Sequence, residues 1–226
     1  KSNMNGVYSI GNPDTTSKTK YSTDYTRRGE SVEFFDVYSP PIQTRYGEVY
    51  WTMMDPVAIP SEIQNKFKNS TIAIVGYEVD QVKQAKNGTE TSVPIYDAYN
   101  HHYFSWIVGK NGEVYDAPDE RRVPNPTRSA VRDTAPPVPS QEGANSIVFK
   151  ENPGGEFRKS YHGYPAGYAQ LVWSPSNWVV EPMQIDTHNR ATGNLTDATG
   201  LRPSFLPAQQ RNNMTDTTSG LSPLIE

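Results

Sequence analysis

Apolar residues in the middle of this chain come in short runs rather than at helical spacing. The runs fall at 47–54 (GEVYWTMM), 71–79 (TIAIVGYEV), 92–96, 102–108, 113–115, 146–149, 156–160, 168–172 and 178–186. Each is of strand length, rich in β-branched and aromatic residues, and bounded by Pro, Gly or Asn, which predicts roughly nine short β-strands. The 71–79 run is nearly apolar through its centre and predicts a central strand. Between the first two runs, Pro60 followed by Ser61-x-x-Gln64 predicts one short helix or turn with a capping box. Lys110-Asn111-Gly112 predicts a hairpin turn between the strands at 102–108 and 113–115. Residues 117–145 are crowded with proline and read as one long structured loop.

Many short strands with this punctuation predict an all-β fold, an antiparallel two-sheet sandwich or jelly roll. Composition agrees: valine and isoleucine number 29 against 6 leucines, and β-branched side chains suit a pleated, half-buried surface. A sandwich of 226 residues in one domain is of ordinary size. The two ends read differently. Residues 1–30 and 189–226 are polar, rich in Ser, Thr and Asn, and predict long terminal arms around a sandwich at 31–188. Such arms gain order by lying on other protein, so other chains or further domains are the expected partners.

Charge narrows the partners. Lys and Arg number 21 and Asp and Glu 25, interspersed, for a net charge of −4. No basic stripe offers itself to a phosphate backbone, which argues against nucleic acid. No apolar run reaches the ~20 residues of a membrane-spanning helix. Cysteine is absent, which taken alone leans toward a reducing compartment. Against that stand four N-glycosylation sequons, at Asn69 (NST), Asn87 (NGT), Asn194 (NLT) and Asn213 (NMT). Four in loop-like sequence turn the expectation to a secreted or cell-surface glycoprotein.

The histidines carry the most suggestive chemistry. His101 and His102 are adjacent at the start of a strand, His162 lies in RKSYHGYP, and His188 follows the last strand. Three imidazoles make a copper or zinc site with one position open. Neighbouring residues on a regular strand point to opposite faces, so both rings can serve one ion only if the strand bulges or begins at the pair. Histidines hydrogen-bonded beside tyrosines are the ordinary alternative. The chain has no cysteine nucleophile, no Gly-x-Ser-x-Gly elbow and no glycine-rich phosphate loop.

Several long blocks, in order, resemble one family: SPPIQTRYGEVYWTMMD (39–55), IAIVGYEVDQV (72–82), VPIYDAYNHHYFSWIVG (93–109), GGEFRKSYHGYPAGYAQLVWSP (154–175) and EPMQIDTHNR (181–190). Over residues 32–226 the chain resembles the SURNod proteins, the stress up-regulated nodulins of plants with relatives in other eukaryotes. The resemblance implies a secreted protein, and it implies that SGLSPLIE (219–226) leads into a cysteine-containing stretch and a second domain. More distantly, YWTMMD, IAIVGYE and YNHHYFSWIVG are similar to the first domain of copper type II, ascorbate-dependent monooxygenases. That similarity implies copper at His101 and His102; His162, with His188 behind it, is this chain's own candidate for a third ligand. Trp173 stands where those enzymes place their third ligand, and Thr52 where they carry a cysteine.

Three readings follow. The first is an extracellular glycoprotein β-sandwich module with a structural or interaction role, without catalysis. The second is a copper-binding, monooxygenase-like domain, which as an enzyme is a copper-dependent oxidoreductase. The third is a carbohydrate-binding module that stacks sugars on Trp173, Tyr161 and Tyr164.

Overall fold

A computed structural model of the chain describes residues 28–44, 49–93, 98–118, 127–151 and 162–186. The expected arms therefore lie outside the described residues, apart from 28–30, as do His188, Asn194, Asn213 and Tyr161.

Two twelve-residue strands, β7 (Ala98–Gly109) and β13 (Pro175–Asp186), pair antiparallel and form the spine of the fold. Strands β1 (Val49–Trp51) and β2 (Val57–Ala58) both pair with β13, and β10 (Ser146–Glu151) pairs with β7. The resulting five-stranded sheet runs β1-β13-β7-β10, with β2 beside β1 along β13. Its register alternates the faces. Ile147, Ile107 and Trp178 stand in one cross-strand row, while Val148, Trp106 and Val179 make the next row on the opposite face.

Both faces are covered, which is why β7 and β13 carry apolar residues at successive positions, 106–108 and 178–180, rather than only at every second one. On the first face, Ile107 and Phe149 pack with Ile59, with Ile63 of helix α1 (Ser61–Lys66), and with Ile72 and Val172. Ile72 and Val172 come from β3 (Thr71–Ile74) and β12 (Gln170–Trp173), an antiparallel pair that forms the second layer. Each such side chain withdrawn from water contributes roughly 1.5–3 kcal/mol. On the second face, Trp106, Val108 and Val179 pack with Val114 of β8 (Gly112–Pro118). Strand β8 pairs along its length with β9 (Thr127–Asp133), and this hairpin caps the sheet. A smaller cluster of Tyr50, Met54 and Val180 closes the end of the sheet near β1. The chain is an all-β antiparallel sandwich, as the pattern of apolar runs predicts.

Several local expectations are corrected. The 71–79 run is not a central strand. It breaks into β3 and β4 (Gly76–Tyr77), which pair with β12 and with β11 (His162–Gly163) in the outer layer; the central places go to β7 and β13. The turn at 110–112 reverses the chain, but its flanking strands do not form a ladder, because β8 pairs with β9 instead. Residues 117–145 are correspondingly not all loop, since they contain β9. Helix α1 begins where the capping-box pattern places it, yet Pro60 occupies the N-cap and no side chain caps the helix. Gln64 Nε2 donates to the Ile59 carbonyl at 2.7 Å instead. Of the strand expected at 92–96, residues 94–96 lie outside the described residues; Ser92 ends β6 (Glu90–Ser92), which forms a hairpin with β5 (Val82–Gln84). The run at 156–160 lies outside the described residues.

Candidate functional site

The His101–His102 pair sits on β7 where its ladder with β13 slips by one residue. Met183 faces His102, but the next residue of β13, Gln184, faces Asn100, leaving His101 without an opposite number. That is a β-bulge, the distortion that turns two neighbouring side chains out of strict alternation. The two imidazoles consequently meet, with ring centroids 4.1 Å apart and planes at 84°. Tyr99 sets its ring edge to face against His101 at 5.0 Å. Both histidines are half-buried.

The polar atoms around the bulge are unusually poorly satisfied. His102 Nδ1 and Asn100 Oδ1 are buried and meet no protein hydrogen-bond partner. An unpaired buried polar atom costs about 1–3 kcal/mol, so such atoms normally mark a place that meets something else. Asn100 faces Gln184, which in turn faces the buried Tyr50 across the sheet. Burial, reinforced by the carboxylate of Asp55, pushes the Tyr50 hydroxyl up to about 12.

His162 is placed elsewhere. It pairs with Tyr77 across β11 and β4 and lies flat on the tyrosine ring, with centroids 4.7 Å apart and planes at 9°. Tyr77 leans in turn on Phe149 at 4.2 Å. Among the described residues no three His, Asp or Glu side chains are placed to hold one metal ion. The structure thus brings His101 and His102 together and leaves His162 in an aromatic stack. His188, the other candidate ligand, lies outside the described residues, as does Asp97, the carboxylate nearest the pair in sequence and so the first candidate to accept from a metal-bound imidazole.

The aromatic platforms expected for sugar stacking differ among themselves. Trp173 is only 7% exposed, too enclosed to offer a ring face, and Tyr164 is half-buried. Among the described residues, Tyr168 at 68% and Tyr38 at 46% are the exposed aromatics.

Both sequons within the described residues present an exposed asparagine on a turn. Residues 67–70 form a turn closed by Ser70 N–H donating to the Phe67 carbonyl at 3.1 Å. Asn69 takes its third position with φ 53°, where Gly or Asn is favoured. Asn87 lies in the loop between β5 and β6, which is closed by Ala85 N–H donating to Thr89 at 2.8 Å. The Asn87 side chain accepts from Thr89 N–H at 3.0 Å.

Sequence reasoning missed the buried carboxylate of Glu181, on β13 between apolar neighbours, which accepts a hydrogen bond from the Ser129 hydroxyl of β9. Its signal was present as a lone charge inside VVEPM, but its partner belongs to a strand that the proline-rich stretch concealed. No helix among the described residues is long and apolar enough to cross a membrane. Compared with known proteins, the chain matches no family model, no curated protein and no solved structure.

Proposed function

We propose that this chain is an extracellular glycoprotein module, a β-sandwich that carries N-glycans and serves a structural or interaction role within a larger protein or assembly. The exposed placement of Asn69 and Asn87 on turns supports this reading most directly. An acceptor asparagine inside a strand or core would be incompatible with a bulky, solvated glycan. Apolar side chains left in solvent, Tyr168 at 68% and Leu171 at 41% exposure, supply contact points for partner chains. The resemblance to the secreted SURNod proteins points the same way. Expression of the full chain behind a secretory leader in eukaryotic cells tests the proposal. The secreted protein is expected to run heavier than its peptide mass and to collapse to it after amidase treatment. A secreted chain that shows no such shift contradicts the reading.

A second reading, copper bound at His101 and His102, is favoured by the bulge that brings the rings together and by the buried Nδ1 atom of half-buried His102, which meets no protein partner. Imidazole nitrogens are copper donors, and no third His, Asp or Glu among the described residues joins the pair, so a further such ligand would have to come from beyond them. Copper analysis of protein purified from its natural source is the test. Near one equivalent, lost in His101→Ala and His102→Ala, supports the reading, and metal-free protein that takes up no added copper sinks it.

A further inference from the structure

A cleft of about 480 Å³ opens beside Asn69, with Lys110, Asn111, Pro136, Val138 and Trp173 among its walls. It is an open cleft rather than an enclosed cavity, with room for one sugar ring. The asparagine at its rim is firmly held. Asn69 N–H donates to Ser174 Oγ at 3.3 Å, Ser174 N–H donates to the Ser70 carbonyl at 2.8 Å, and Lys110 N–H donates to the Ser174 carbonyl at 2.9 Å. Asn69 and Ser174 are also the two non-glycine residues with positive φ among the described residues, at 53° and 45°. A left-handed backbone is unusual for a serine such as Ser174; it persists where surrounding structure enforces it, and such positions concentrate at functional sites.

We propose that the first N-acetylglucosamine attached to Asn69 occupies this cleft and is packed as part of the fold. The inference rests on the reading that Asn69 is glycosylated, and it deepens that reading by giving the sugar a seat. The argument is one of reach and chemistry. The linkage is a single amide bond on a short side chain whose backbone is fixed by the hydrogen bonds above, so the first sugar starts at the mouth of the cleft. The walls match its two characters. Pro136 and Val138, the latter 41% exposed, offer apolar surface to the C–H face of the ring and to the acetamido methyl. Lys110, Asn111 and Ser140 offer donors and acceptors to its hydroxyls and amide.

Asn87 provides the internal contrast. It sits at the tip of the β5–β6 hairpin beside Gly88, where a Cβ would meet nothing within 4 Å. A sugar there has no wall to lean on.

The full chain is expressed through the secretory pathway with Asn87, Asn194 and Asn213 changed to Gln, so that Asn69 is the sole acceptor. A matching chain keeps Asn87 alone. Each is melted fully glycosylated, trimmed to one N-acetylglucosamine, and stripped by amidase; Asn69→Asp made without glycan controls for the charge that stripping leaves. At Asn69 the single-sugar form is expected to melt about 2–4 °C above the stripped form, a shift typical of ~1 kcal/mol at this chain length. Trimming down to one sugar should cost nothing, and the three Asn87 forms should melt together. In the trimmed Asn69 protein, nuclear Overhauser contacts are expected between the acetamido methyl and Val138. Equal melting of single-sugar and stripped forms with Asn69 occupied, or an acetamido methyl without protein contacts, overturns this inference alone. An unmodified Asn69 in the secreted chain overturns the inference together with the assignment of Asn69 as a glycan site.

Discussion

Tyr50 shows how one buried side chain ties this fold to pH. Its hydroxyl is removed from water among Met54 and Val180, and that burial raises its folded-state pKa from 10.0 to about 12. The unfolded chain releases this proton near pH 10, as ordinary tyrosine does. Between pH 10 and 12 the unfolded state therefore binds fewer protons than the folded one, and stability falls as pH rises. The contribution is intact below pH 10 and shrinks by about 2–3 kcal/mol across the window, at ~1.4 kcal/mol per unit. Tyr50→Phe should flatten this part of the alkaline profile, measured as urea midpoints from pH 9 to 12. An unchanged slope in the variant would show that Tyr50 titrates freely. Nothing in the sequence distinguishes this tyrosine from the other 13, because its environment is assembled from β1 and β13, far apart in the chain. The histidine pair was more legible. Adjacent histidines can share one ion only where a strand bulges or begins, and a bulge is there; what the sequence could not convey is that His162 would be taken up by Tyr77.

At the scale of elements, the strongest constraint lies where β7 ends. Gly109 N–H donates to the Asn145 carbonyl at 2.8 Å, and a Cβ built on Gly109 would stand 2.1 Å from the carbonyl oxygen of Trp173. The obstacle is backbone, so no rotamer change relieves it. Gly109→Ala should cost about 3 kcal/mol, the upper end for overpacking, whereas a substitution such as Leu171→Ala on exposed surface should stay within about 0.5 kcal/mol. Chemical denaturation of the two variants measures both, and a Gly109→Ala protein as stable as the parent would refute the close approach. Strand positions were legible where apolar runs were long, as at β7 and β13. Pairing was not. Lys110-Asn111-Gly112 has the chemistry of a hairpin turn, but Val114 is drawn onto Trp106 and Val179, and β8 leaves the sheet to pair with β9. Strand β9 itself, TRSAVRD, carries too few apolar residues to announce a strand, and prolines on either side disguise it.

For the whole molecule, the excess of Val and Ile over Leu and the frequent turn residues carry the all-β class directly, because side-chain shape decides what suits a pleated surface. The covering of both faces of the central sheet explains how a chain without cysteine builds its core, with apolar packing on the β3–β12 side and again under the β8–β9 hairpin. The proposed location and role of the protein rest on whether Asn69 and Asn87 carry glycans. Peptide mass spectrometry of protein from its natural source, with amidase treatment in heavy-oxygen water to mark each formerly glycosylated asparagine, is the most direct test. The account predicts the marked aspartate at positions 69 and 87. Unmodified asparagine at both positions in the natural protein would contradict it.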